Sequence, residues 1–223
     1  MSGKREKKLL ITGCGRSGTL YSARLFSELG LDILHELDAS ENPEKGQDGF
    51  SSWFLAVDDP YPPQGPTSVG NEFEFIIHQV RHPLLVIASF AQFILQKGSR
   101  SYPFLEKYIP DLKTISQNSD LSLKQKLILQ AALYWYDWNL LALRKATDTI
   151  RLENIGEELP GLCDMLDIDF DAEVFNNVSS KTNQREIYLQ EKSWVVSWEE
   201  LESLDPVLTE KIRRLAETFG YQV

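Results

Sequence analysis

The chain has 223 residues, 42% hydrophobic and 25% charged, a composition that suits a globular protein with a sizeable core and excludes a disordered one. Its 23 basic and 33 acidic side chains leave a net charge of −10, which argues against nucleic acid or a strongly anionic polysaccharide as a general surface partner. No run of about 18 apolar residues exists, so no transmembrane helix and no membrane partner are expected.

Met1 to Lys8 is basic but meets only the short apolar run Leu9 to Ile11, so no secretory leader is expected. Lys7 to Thr12 reads as a buried strand that ends in Gly13, Gly15 and Gly18. From Thr19 the spacing turns helical: Leu20, Ala23, Leu25, Phe26 and Leu29 share one broad face, and Gly30 ends the helix. Leu31 to Leu34 is a second short strand, followed by His35 and Glu36. Asn42 to Asp48 is turn-rich, Phe50 to Val57 reads as a short helix carrying Trp53, and the proline-rich Asp58 to Gly70 is a loop.

Phe73 to Val80 is the next buried strand and delivers Arg81 at its end, with Pro83 opening a helix to about Gln96. Ser122 to Ala146 is the longest helical pattern. Its Tyr134, Trp135, Tyr136 and Trp138 span too much of the circumference to be a ligand stripe and are expected mostly in the core. Thr149 to Leu152 is a fourth strand, Ser179 to Glu186 a polar stretch, and Asp205 to Phe219 the last helix. Strand, glycine loop and helix in that order predict an α/β fold, and the lack of a linker or repeat predicts one domain over 1–223. Cys14 and Cys163 do not make a disulfide framework, so a reducing cytoplasm is the expected compartment.

The segment Gly13-Cys14-Gly15-Arg16-Ser17-Gly18-Thr19 carries the chemistry. Glycines let backbone N–H groups turn inward, and the N-terminus of the following helix adds about half a positive charge, so the segment is suited to an anion. The ATP-binding form of this loop ends in Gly-Lys-[Ser/Thr], whereas Thr19 and Leu20 stand at those last two places and a cation, Arg16, lies inside the loop. That argues against an ordinary magnesium-ATP site. A phosphatase loop needs an arginine six residues after its cysteine, and Leu20 occupies that position.

This run resembles the 5′-phosphosulfate loop of sulfotransferases that use 3′-phosphoadenosine 5′-phosphosulfate (PAPS), in which G-x-x-[RK]-[ST]-G-T follows the first strand. The resemblance implies a P-loop-type three-layer α/β sandwich, its central, mostly parallel sheet of about four to five strands flanked by helices. It also implies a donor site formed by Gly13, Cys14, Gly15, Arg16, Ser17, Gly18, Thr19 and Leu20. Arg16 is then expected to stabilise charge on the leaving oxygen. The family's 3′-phosphate signature is an arginine ending a strand with a serine about eight residues on, matched here by Arg81 and Ser89; His82 replaces the usual aspartate between arginine and proline. Arginine presents a rigid donor fork to phosphate, and a serine hydroxyl donates once more. By the same resemblance Asn183 and Arg185, within Lys181 to Arg185, close over the nucleotide.

Sulfuryl transfer needs an aligned acceptor oxygen, a base for its proton and charge stabilisation at the leaving oxygen, with no metal required. The family takes its base, glutamate or histidine by branch, from the region after the second strand, where this chain has His35 and Glu36. Adjacent residues on an extended chain point opposite ways, so one of the two is expected to face the cleft. The chain resembles the bacterial and carbohydrate-directed branch rather than the steroid- and phenol-directed one. By analogy with carbohydrate- and protein-directed branches, in which a glutamate is the base, Glu36 is favoured, with His35, whose imidazole suits a base near neutral pH, as the alternative. Asp48 and Trp53 are expected near the hydroxyl-bearing acceptor, a sugar or small metabolite. Two alternatives stay open: a P-loop small-molecule kinase, and a catalytically inactive protein that binds the desulfated product, 3′-phosphoadenosine 5′-phosphate (PAP). Nothing in the sequence names the acceptor or the oligomeric state.

Overall fold

In the computed structural model, which describes residues 5–36, 46–59, 61, 71–97, 101–182 and 194–223, the run Leu9 to Ile11 is fully buried within β1 (Arg5–Thr12). A strand apolar on both sides of its pleat belongs inside a parallel sheet. Four others join it: β2 (Ile33–His35), β3 (Gly49–Ser51), β4 (Asn71–Val80) and β5 (Asp148–Arg151), in the order β2-β3-β1-β4-β5. Every pairing is parallel. The fold is thus α/β, with five strands among the described residues.

Contacts group the chain into two units, Met1–Val80 with Leu141–Gln190, and Arg81–Leu140 with Glu191–Val223. In the first unit the register sets Ile33, Leu9, Ile11, Ile77 and Ile150 on one sheet face. Helices α1 (Thr19–Glu28), α6 (Ile155–Met165) and α7 (Ala172–Thr182) cover that face through Phe26, Leu159, Cys163 and Val178 in one apolar cluster. The α1 helix ends as its sequence predicts, with the Leu31 N–H returning to the Phe26 carbonyl (3.0 Å) past Gly30.

Phe50 to Val57 is not a helix: Phe50 pairs with Leu10 on one side and Leu34 on the other as the middle of β3, and only Phe54–Ala56 turns, as one 3-10 turn. Pairing on both sides with β1 and β2 overrides the local pattern.

The second unit is helical: α2 (Pro83–Lys97), α3 (Tyr102–Tyr108), α4 (Asp111–Gln117), α5 (Leu123–Lys145, as far as Leu140), α8 (Trp198–Leu204) and α9 (Pro206–Thr218). Tyr134, Trp135 and Trp138 of α5 are buried, as their spread around the helix predicts. Tyr134 stacks on Phe90 at 4.3 Å between centroids, and Trp135 meets Phe219 edge-on at 6.3 Å. Ser197 and Asp205 cap α8 and α9, accepting from the N–H groups of Glu200 and Leu208. Among the described residues no helix is long and apolar enough to cross a membrane.

Candidate functional site

Because the strands are parallel, their C-terminal ends share one edge, and strand order reverses at β1, which has β3 on one side and β4 on the other. Loops leaving the sheet at such a reversal bound the crevice in which α/β proteins take ligands. Gly13 to Gly18 leaves β1 at that place and feeds α1.

Gln79, fully buried near the end of β4, holds the loop. Its Nε2 donates to the Ser17 carbonyl at 2.8 Å, and its Oε1 accepts from Ser22 Oγ in the first turn of α1. A Cβ at Gly13 would stand 2.2 Å from the Gln79 carbonyl oxygen, so the close approach of loop to strand requires glycine. Gly18 caps α1 in the left-handed region (φ 102°). Arg16 also takes that region (φ 75°) despite its side chain, and that side chain is exposed. A non-glycine residue there costs on the order of 1–3 kcal/mol, and such strain gathers at ligand sites.

Cys14, Gly15 and Ser17 are buried in the loop, and Ser17 Oγ has no hydrogen-bond partner among the described residues. An unpartnered buried hydroxyl costs about 1–3 kcal/mol. It lies just before the start of α1, where the positive end of the helix dipole favours a phosphate-like oxyanion. The residues present therefore fit the anionic end of a nucleotide. Two further buried hydroxyls without partners among the described residues, Thr12 Oγ1 and Ser52 Oγ, lie at the ends of β1 and β3 on the same edge.

His35 and Glu36 do not diverge as an extended chain would require. His35 ends β2, but Glu36 takes φ 42°, which turns the chain back and brings Glu36 Oε1 to 3.3 Å from His35 Nε2. The same Nε2 is 3.2 Å from Thr19 Oγ1. Ser51, the register partner of His35, donates from Oγ to the Thr19 carbonyl at 2.7 Å. The start of α1 is thus fixed to the ends of β2 and β3.

Asp48 lies elsewhere. It precedes β3 at the level of Lys8, so roughly 16 Å of strand, at about 3.3 Å per residue, separates it from Gly13. Its carboxylate accepts from the Asp32 N–H (2.7 Å) and its own N–H donates to the Asp32 carbonyl (3.2 Å). That carboxylate ties a turn and is not placed toward the glycine loop. Trp53 follows β3 at the loop's edge of the sheet, half-buried against Phe54 (5.9 Å) and Tyr61 (5.5 Å). Leu20 is exposed and, with Ala23, Arg24, Ile33, His35 and Val178, helps line a groove of about 540 Å³ between α1, β2 and α7.

Arg81 and Ser89 belong to the second unit. Arg81 is half-buried directly after β4, its carbonyl accepting from Trp135 Nε1 at 3.3 Å, and Ser89 is buried in α2. Asn183 and Arg185 lie outside the described residues.

Sequence reasoning missed Gln79, Ser51, Thr12 and Ser52. Gln79 had a signal, a polar residue next to His78 at the apolar end of a strand, two places before Arg81. The serines were hidden by the helical reading of Phe50 to Val57.

No protein-family model matches the chain, and no curated protein matches it. Among solved structures it is similar to the mouse sulfotransferase SULT7A1 complexed with PAP: 15% identity, 91% of this chain and 68% of that chain covered, TM-score 0.40. At that identity and score the likeness carries no weight for chemistry, which rests on the residues of this chain.

Proposed function

We propose that the protein is a sulfotransferase that moves the sulfuryl group of PAPS to a hydroxyl acceptor by in-line transfer. The observation that carries this reading is the buried Ser17 hydroxyl, without a partner among the described residues, in a glycine loop that opens a helix and has Thr19 where an ATP site needs lysine. PAPS, when bound, supplies the sulfuryl group and a phosphate oxygen as the leaving group.

In this reading the residues from Gly13 to Leu20 hold the 5′-phosphosulfate, with Arg16 neutralising charge on the leaving oxygen. Arg81 and Ser89 are assigned to the 3′-phosphate on their sequence signature, and Asn183 and Arg185 to the nucleotide's cover on the same ground. Glu36 takes the proton of the acceptor hydroxyl as the new oxygen–sulfur bond forms and the bond from sulfur to the phosphate oxygen breaks. The groove whose wall includes His35 is the place proposed for the acceptor. Its mixed lining, with Ala23, Ile33 and Val178 beside Arg24 and Asn177, suits a sugar or small metabolite with an apolar side. Trp53 remains a candidate contact at its rim of the sheet.

Isothermal titration with PAP, run beside magnesium-ATP, tests the reading. Binding of PAP that ignores magnesium and is lost in Arg16→Ala and Arg81→Ala supports it, and an acceptor screen follows. Magnesium-ATP binding with no response to PAP would put the kinase reading in its place. PAP binding with no transfer to any acceptor hydroxyl would leave a nucleotide-binding protein.

A further inference from the structure

We infer that Glu36 and His35 act as positioning residues for Thr19, fixing its hydroxyl as a donor to the 5′-phosphate end of the bound nucleotide. This rests on the nucleotide reading above.

His35 Nε2 faces two oxygens, Thr19 Oγ1 at 3.2 Å and Glu36 Oε1 at 3.3 Å. A ring nitrogen presents either a hydrogen or a lone pair. A lone pair turned toward a carboxylate oxygen is repelled, whereas an N–H is attracted. Glu36 therefore selects the form with hydrogen on Nε2, whether the ring is neutral or protonated. With that hydrogen in place, the Thr19 oxygen is the acceptor in its contact with His35. Its own proton is then directed elsewhere.

Thr19 is the first residue of α1 and is 5% exposed. Its hydroxyl stands at the N-terminus of α1, so a proton turned away from His35 adds a donor at the helix end whose dipole favours an anion. With the opposite tautomer the hydroxyl would donate to the ring and offer an anion only lone pairs. The turn at Glu36 (φ 42°) makes the selection possible, because it returns the carboxylate to the ring it follows. His35 Nε2, being a donor to both oxygens, is not the proton acceptor in transfer.

Two nucleotides separate this role from a merely structural one: PAP, and adenosine 3′-phosphate, which lacks the 5′-phosphate. Titrated into the full chain, His35→Ala and Thr19→Val should each weaken PAP about tenfold, the loss of one charge-assisted hydrogen bond, and leave adenosine 3′-phosphate unchanged. The double variant should bind PAP no more weakly than either single one. His35→Gln, whose amide N–H can reach the place of Nε2–H, should recover most of the affinity. Equal weakening of both nucleotides by His35→Ala would mean that the histidine only supports the fold, and an unchanged PAP affinity would mean that it does not act through Thr19. Either overturns the inference while the nucleotide reading stands. If the unsubstituted protein binds neither nucleotide, the reading and the inference fall together.

Discussion

Gln79 Nε2 lies 2.8 Å from the Ser17 carbonyl oxygen, so the loop that follows β1 is held by a side chain of β4. Because the other end of the same amide accepts from Ser22 Oγ, one buried residue fixes both the loop and the first turn of α1. Replacing it with leucine, similar in volume, leaves the Ser17 carbonyl without this donor and the Ser22 hydroxyl without this acceptor. Each buried group left unmade costs about 1–3 kcal/mol, and a chain of this size loses roughly 2–4 °C of melting temperature per kcal/mol. We therefore expect Gln79→Leu to lower the melting temperature by several degrees and to weaken PAP. Gln79→Glu should do no better, since a carboxylate has no N–H for the Ser17 carbonyl. Thermal melting with a parallel PAP titration checks this, and unchanged values in both would show that the loop is held by other contacts.

Thr12 and Ser52 make the opposite case. Ile11 pairs with Ser51, and the Ser52 N–H donates to the Ile11 carbonyl at 2.9 Å, so Thr12 and Ser52 are the next neighbours across β1 and β3. Both hydroxyls are buried with no partner among the described residues. Strands about 4.8 Å apart allow one oxygen to bridge two such hydroxyls. In the ligand-free protein each is a cost, and removing a buried polar group that has no partner relieves it. Thr12→Val and Ser52→Ala are expected to raise the melting temperature without ligand by about 2–4 °C each. A fall would show instead that ordered water already bridges them.

The elements that sequence predicts well are those whose cause is local. The buried run Leu9 to Ile11 can only be an inner strand, and the glycines at 13, 15 and 18 can only follow it as a loop. Gly30 ends α1 because the helix needs a residue free to turn there. What escapes is set by distant partners. Gly49 to Ser51 is too short to declare itself, and becomes a strand by lying between β1 and β2. The meeting of His35 with Glu36 depends on a single backbone angle that their residue types do not encode. Asp48 resembles a site carboxylate until the path of the chain sets Asp32 beside it. Gln79 belongs to no motif; the close approach of Gly13 to its carbonyl and its bond to Ser17 reveal why the loop sits where it does.

The second unit offers a test by pH. Asp137, half-buried on α5, has its carboxyl held above the usual carboxylate range by desolvation first and by the nearby Asp111 charge second, with Lys211 opposing both. In the unfolded chain the group titrates near the ordinary value of about 3.9. Between that value and the raised folded one, the folded protein keeps the proton that the unfolded chain has lost. The unfolded state then binds fewer protons, so stability falls as pH rises through this window and stays lower above it. Asp137→Asn has no charge to desolvate. We expect it to melt at a higher temperature than the unsubstituted protein at pH 7 and to lose that advantage below about pH 4. Melting temperatures of both proteins across this range decide the matter. An asparagine variant no more stable at pH 7 would mean that Lys211 already compensates the buried carboxylate.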